Sequence, residues 1–109
     1  MTEIRHYVSP TGRDVFDEWL SQLADHRAQA KIAVRIDRLA AGNTGDCKPL
    51  RGGLWELRID WGPGYRVYYA MTGRERVLLL NGGDKRRQAA DIARALSYLR
   101  DYRERTGTK

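Results

Sequence analysis

The sequence predicts an α+β domain, and three observations carry that prediction. Leu54 to Met71 alternates apolar and polar residues with a period of two on both sides of a Gly-Pro-Gly break, the pattern of a β-hairpin. Three other stretches repeat apolar residues at spacings of three and four, as amphipathic helices do. Val77 to Leu80 is an unbroken apolar run, as expected of an inner strand covered on one face or both. In order these read as strand, helix, helix, three strands and a helix. The expected architecture is two N-terminal helices packed on a small, mainly antiparallel sheet, with a C-terminal helix.

Ile4 to Val8 reads as a short strand, and Ser9-Pro10-Thr11-Gly12 as a turn. Asp14 is placed to cap a helix, with Asp17 and Glu18 in the first turn, where carboxylates suit the helix dipole. Phe16, Trp19, Leu20 and Leu23 follow at helical spacing, giving a first helix over residues 15–24. Asp25 can cap a second, in which Ala28, Ile32, Ile36 and Leu39 form one stripe and Arg27, Lys31, Arg35 and Arg38 another. Gly42 suits the residue after its end. The short link between the two helices suggests an antiparallel pair. Residues 43–53 read as a loop.

In the hairpin, Trp55, Leu57, Ile59 and Trp61 alternate with Glu56, Arg58 and Asp60, and Tyr65, Val67, Tyr69 and Met71 with Arg66, Tyr68 and Ala70. Facing Trp61 with Tyr65 across the turn pairs Ile59 with Val67, Leu57 with Tyr69 and Trp55 with Met71. One face is then dry, and Glu56, Arg58, Asp60, Arg66 and Tyr68 share the other. A one-residue slip would set the apolar residues of one strand beside the charged residues of the other. Thr72 to Glu75 is a turn, and the Val77–Leu80 strand ends at Asn81-Gly82-Gly83-Asp84. A last helix is expected over residues 88–103, with Ile92, Ala95, Leu96, Leu99 and Tyr102 along its apolar side and a frayed tail from Thr106 to Lys109.

A length of 109 residues suits one domain, residues 1–109, with a single modest core. With 41% hydrophobic and 31% charged residues, the composition fits a soluble globular protein. Cys47 is the one cysteine, so no intramolecular disulfide forms, and a reducing compartment, the cytoplasm, is expected. The opening MTEIRHYVSP has no apolar run, so no signal peptide is expected, and no stretch reaches the ~20 apolar residues of a membrane span. The net charge of +6 is uneven: residues 1–47 carry 6 Lys/Arg against 7 Asp/Glu, and residues 48–109 carry 14 against 7. A basic half of this kind favours RNA, DNA or an acidic protein.

His6, His26 and Cys47 are isolated, so no metal or cofactor site is expected. Gly82-Gly83-Asp84-Lys85 lies at a strand-to-helix junction, where backbone N–H groups can receive a phosphate. It lacks the GxxxxGK[ST] spacing of a nucleotide loop, and paired glycines also make plain tight turns. Arg58, Arg66 and Lys85 can form a cationic cluster at one side of the sheet, which fits a phosphodiester. RNA cleaves itself through its 2′-hydroxyl when that hydroxyl is activated, the phosphate neutralised and the leaving oxygen protonated. Glu56 and Asp91 are candidate bases, and Tyr68 is a candidate to stack on a base or donate a proton. Glu56, Arg58, Asp60 and Arg66 also read as a cross-strand ion-pair set, each pair contributing about a few tenths of a kcal/mol. The residues alone leave both readings open.

The runs GxxWELRIDWGPGYRVYY and LLLNGGDKRRQAADIARA resemble the addiction-module killer proteins, the HigB-type toxins of the RelE/ParE superfamily. The likeness spans Ile4 to about Tyr102 and rests on Trp55-Glu56-Leu57-Arg58, Gly64 to Tyr69 and Gly82 to Lys85 in that order and spacing. It implies a RelE-like fold and a metal-independent endoribonuclease that cuts messenger RNA in the ribosomal A site and arrests growth. The superfamily's basic site residues fall on Arg58, Arg66 and Lys85. Glu56 stands where a basic partner is usual, and Asp91 where many such toxins carry a tyrosine. Arg86 and Arg87, beside Lys85, are expected to bind RNA. The resemblance also implies a HigA-like helix-turn-helix antitoxin, with operator DNA bound only through the toxin–antitoxin complex. Two alternatives remain: a ParE-like inhibitor of DNA gyrase, and an inactive relative that works only within its antitoxin-repressor complex.

Overall fold

Two aspartates start the N-terminal helices. Asp14 caps α1 (Val15–Ser21), its side chain accepting from the Asp17 backbone N–H at 3.0 Å. Asp25 caps α2 (His26–Ala40), accepting from the N–H groups of Arg27 and Ala28 at 2.9 and 3.2 Å. These bonds satisfy donors that the first turn of a helix leaves open. α1 stops three residues short of the expected Ala24, though Leu23 still packs on the core. Gly42, at φ +92°, follows the end of α2 as expected.

The computed structural model describes residues 2–107. The strands are β1 (Glu3–His6), β2 (Cys47–Pro49), β3 (Leu54–Ile59), β4 (Tyr65–Gly73) and β5 (Arg76–Asp84), followed by α3 (Gln88–Thr106). They form one mixed sheet in the order β1-β5-β4-β3-β2, in which β1 runs parallel to β5 and the other three pairings are antiparallel. The expected loop over residues 43–53 instead contains β2 and a 3-10 turn, Arg51–Gly53. β2 is three residues long and includes a proline, so no alternation announces it. Lys48 and Pro49 suit an edge strand, because both discourage further pairing.

Two cores flank the sheet. α1 and α2 cover one face, where Phe16, Ala28, Ile32 and Leu39 meet Leu57, Ile59, Val67, Tyr69, Val77 and Leu79. α3 covers the other, where Ala95 and Leu99 meet Leu54, Tyr68, Ala70, Leu78 and Leu80. The apolar run of β5 is therefore covered on both sides. The second face of the hairpin, expected to carry the charged residues and Tyr68, lies largely beneath α3: Glu56 and Tyr68 are 1% and 0% exposed. α3 runs past Arg103 to Thr106, and Gly107, at φ +70°, caps it in the left-handed region. Thr106 is thus helical rather than frayed, and Thr108 and Lys109 lie outside the described residues. No helix among the described residues is long and apolar enough to cross a membrane.

The hairpin keeps the expected faces but not the expected register. Ile59 pairs with Tyr65, Leu57 with Val67, Trp55 with Tyr69 and Arg58 with Arg66. The shift is two residues, which preserves the side-chain alternation. Its cause is Trp61, which leaves the strand for α2. The indole Nε1 donates to Asp25 Oδ2 at 3.0 Å, and the Lys31 ammonium sits 4.3 Å from the ring centre. The turn consequently spans Asp60 to Gly64.

Gly82 and Gly83 do not form a phosphate-receiving junction; they are strand residues of β5, opposite Val67 and Arg66. A Cβ at Gly82 would come within 2.3 Å of the Trp19 ring, and one at Gly83 within 1.9 Å of Asp91 Oδ2. Arg35, in the basic stripe of α2, forms a clamp. Its guanidinium donates to the carbonyls of Thr44, Asp46 and Arg58, tying α2 to the segment before β2 and to the end of β3. Arg35→Ala is expected to lower stability by about 1–3 kcal/mol, since several carbonyls lose a charged donor. Urea unfolding would measure this, and faster amide exchange at residues 44–46 would locate it.

Candidate functional site

The observed register sets Arg58 directly across from Arg66. Like charges in that position repel, so each needs compensation, and each has an acid. Arg58 NH2 lies 3.0 Å from Asp46 Oδ1. Arg66 Nε lies 3.5 Å from Glu56 Oε2, an ion pair too long to be a good hydrogen bond. Glu56 Oε2 also accepts from Gln88 Nε2 at 2.8 Å, at the first residue of α3.

Arg58, Arg66 and Lys85 line one open cleft of about 240 Å³ at the turn end of the hairpin, together with Asp46, Asp60 and Gly64. Lys85 reaches it because the chain turns directly after β5, its backbone N–H donating to the Gly64 carbonyl at 2.9 Å. Lys85 forms no ion pair among the described residues. The cluster expected from the sequence is therefore assembled, with two acids in the same cleft. Asp60 was visible in the alternating pattern. Asp46 was not: it precedes the unrecognised β2, and the Arg35 clamp, the β2–β3 pairing and the Arg58 N–H, which donates to the Asp46 carbonyl at 2.9 Å, bring it to Arg58.

The remaining candidates are placed differently. Glu56 is enclosed behind Arg66 rather than open to the cleft. Tyr68, expected to stack on a nucleobase, has no exposed ring face, because α3 covers it. Its hydroxyl leans toward Glu56 without reaching hydrogen-bond geometry. Burial, then the charges of Glu56 and Asp91, hold its phenol well above the ordinary tyrosine value. Asp91 is 4% exposed and lines a separate groove between α1 and α3. Desolvation raises its carboxyl, against the lowering effects of Arg94 and Arg87. Arg86 and Arg87 are exposed on the 3-10 turn between β5 and α3, Arg86 holding Asp84 at 2.9 Å. No three His, Cys, Asp or Glu side chains converge on a metal-sized space among the described residues.

What the cleft can do follows from its charges. Three cations within one opening can neutralise a phosphodiester. Asp46 and Asp60 are the carboxylates open to the same space.

Residues 18–98 match the family described as Phage derived protein Gp49-like (DUF891). The chain belongs to that family. An uncharacterized protein of Haemophilus influenzae is 54% identical over 80 residues, which is 73% of this chain and 81% of that protein. The Gp49-like region takes in α2, the strands β2 to β5 and α3 as far as Tyr98, so all the candidate residues fall within it. β1 lies outside the matched region.

Proposed function

We propose that this chain is the toxin of a toxin–antitoxin pair and that it cleaves messenger RNA on the ribosome. The Gp49-like family is associated with toxin–antitoxin systems, which supports the first half. One observation carries the second: Arg58 and Arg66 face each other across β3 and β4, with Lys85 on the same cleft. An anion relieves the repulsion between the two arginines, and a phosphodiester is the anion a nuclease must hold.

On this reading Arg66 and Lys85 bind the scissile phosphate and stabilise the charge that grows on its oxygens. Arg58 assists after yielding its contact with Asp46. Glu56, enclosed and hydrogen-bonded by Gln88, is a positioning residue that aims Arg66. The base that activates the 2′-hydroxyl comes from Asp60 or Asp46, which share the cleft. Arg86 and Arg87 hold flanking phosphates. The ribosome presents the message, a HigA-like helix-turn-helix antitoxin covers the cleft, and operator DNA is bound only by the toxin–antitoxin complex. Such a toxin works in the cytoplasm, and the fold is of the RelE type.

A second reading rests on the acids. Arg58 and Arg66 already have carboxylate partners, which suits a chain that acts only within its repressor complex. Adding the purified chain to a translation reaction and to a DNA gyrase supercoiling reaction separates these. The nuclease reading expects translation to fall while supercoiling is unchanged. Loss of supercoiling would point to a ParE-like gyrase inhibitor, and no effect on either to the repressor reading.

A further inference from the structure

The C-terminal half of α3 and the 3-10 turn before β3 flank a groove of about 440 Å³, at the end of β3 away from the cationic cleft. Leu96, Leu99, Arg100 and Arg103 recur at helical spacing and form its α3 side, and Arg51 and Gly52 form the other. Two glycines make room for these side chains. A Cβ at Gly52 would come within 3.0 Å of Leu96 Cδ2, and one at Gly53 within 2.8 Å of Arg103 NH2.

The charges here differ from those of the cleft, where both arginines have acids. Arg51, Arg100 and Arg103 share the groove with one acid, Glu104, and none of the four forms an ion pair among the described residues. Arg103 donates to the Gly52 carbonyl at 3.1 Å. Arg51 and Arg100 are exposed, and their guanidinium groups make no hydrogen bond among the described residues. The floor is aliphatic: Leu99 is buried and Leu96 half-buried, and no aromatic ring lines the groove among the described residues. Single-stranded nucleic acid is held largely by stacking its bases on aromatic rings. A leucine floor between arginines suits an aliphatic side chain flanked by carboxylates instead.

We propose that this groove docks an acidic segment of a partner protein. One aliphatic side chain rests on Leu96 and Leu99, and carboxylates on either side of it meet Arg51 and Arg100. A planar guanidinium takes a carboxylate through two parallel hydrogen bonds. At about 3.3 Å per residue, β3 separates the groove from Arg58 by roughly 20 Å, so an occupant leaves the cationic cleft uncovered. The site does not depend on RNA cleavage in that cleft, so either can fail without the other.

The test is calorimetric titration of the full chain with the peptide Asp-Glu-Leu-Glu-Asp-Leu-Glu-Asp, with the same peptide carrying serine for leucine, and with octauridylate. Saturable 1:1 binding of the leucine peptide is expected, and at least tenfold weaker binding of the serine peptide. Arg51→Glu/Arg100→Glu should abolish peptide binding in protein that still melts cooperatively, because neither side chain has a partner to lose. Arg58→Ala/Lys85→Ala, in the distant cleft, should leave it within twofold. No saturable binding of the leucine peptide at millimolar concentration would overturn the proposal. So would equal binding of the two peptides, which would mark net charge only, or a loss in the cleft variant instead of the groove variant. Octauridylate held more tightly than the leucine peptide, and lost in the groove variant, would overturn it in favour of RNA.

Discussion

Arg66→Ala should abolish growth arrest, with a loss of cleavage of about 10²–10³-fold, the scale seen when one preorganised donor to a developing anion is removed. Arg66 is the cation that connects the cleft to the buried acid beneath it. Its side chain is 13% exposed, it faces Arg58, and it is held by Glu56. That same position makes a simple reading of the variant unsafe. Removing the guanidinium leaves the Glu56 carboxylate, 1% exposed, with Gln88 as its hydrogen-bond donor. Breaking a buried pair from one side costs about 3–5 kcal/mol, a large share of the about 5–15 kcal/mol that stabilises a typical domain. The double variant Arg66→Ala/Glu56→Gln removes the stranded charge. It should recover most of the lost stability and none of the activity. Arg66→Lys keeps a charge without the planar fork and should fall between. Growth arrest and urea unfolding, read on the same set, separate a chemical role from a structural one. An active double variant would remove Arg66 from the mechanism.

The largest loss of stability from adding a single methyl group is expected at Gly83→Ala. The new Cβ would stand 1.9 Å from Asp91 Oδ2 and 2.8 Å from its Cγ, where no real Cβ sits. Asp91 cannot retreat easily, because it lies in the first turn of α3 and its carbonyl is held by Asn81. Either α3 lifts from the sheet or β5 shifts, at a cost of about 3 kcal/mol. Because Gly83 pairs with Arg66, the disturbance reaches the cleft, and activity should fall with stability. Gly73→Ala is the control: its Cβ would meet only Arg76, at an ordinary 3.7 Å, and stability should change by less than about 0.5 kcal/mol. Shortening the obstacle in Gly83→Ala/Asp91→Ala should restore part of the loss.

The parts of this fold legible in the sequence are those with a local physical signature. Asp14 and Asp25 announced their helices because a cap precedes an apolar stripe. Val77 to Leu80 announced a covered strand, and the alternation around Gly62-Pro63-Gly64 announced a hairpin. The faces of that hairpin were legible and its register was not. A two-residue shift leaves the alternation intact, and the partner that draws Trp61 away, Asp25, is 36 residues distant. β2 was hidden for a different reason, since three residues including a proline carry no period. The glycines of β5 resembled a turn because sequence does not show that Trp19 and Asp91 occupy the space their side chains would fill.

The site divides along the same line. Arg58, Arg66 and Lys85 could be grouped in advance because alternation puts two on one face and the third follows the next strand. That Tyr68 and Glu56 are enclosed depends on where α3 lies, which no spacing within the hairpin reports. Asp46 depends on Arg35, whose contacts lie 9 to 23 residues away in the chain and leave no local pattern.

The cleft formed by Arg58, Arg66 and Lys85 is proposed to cut messages on the ribosome. Primer extension on cellular messenger RNA, sampled minutes after the chain alone is induced, tests it most directly. New 5′ ends in phase with codons are expected from the wild-type chain and absent from Arg66→Ala/Glu56→Gln. Intact messages in growth-arrested cells would contradict the claim.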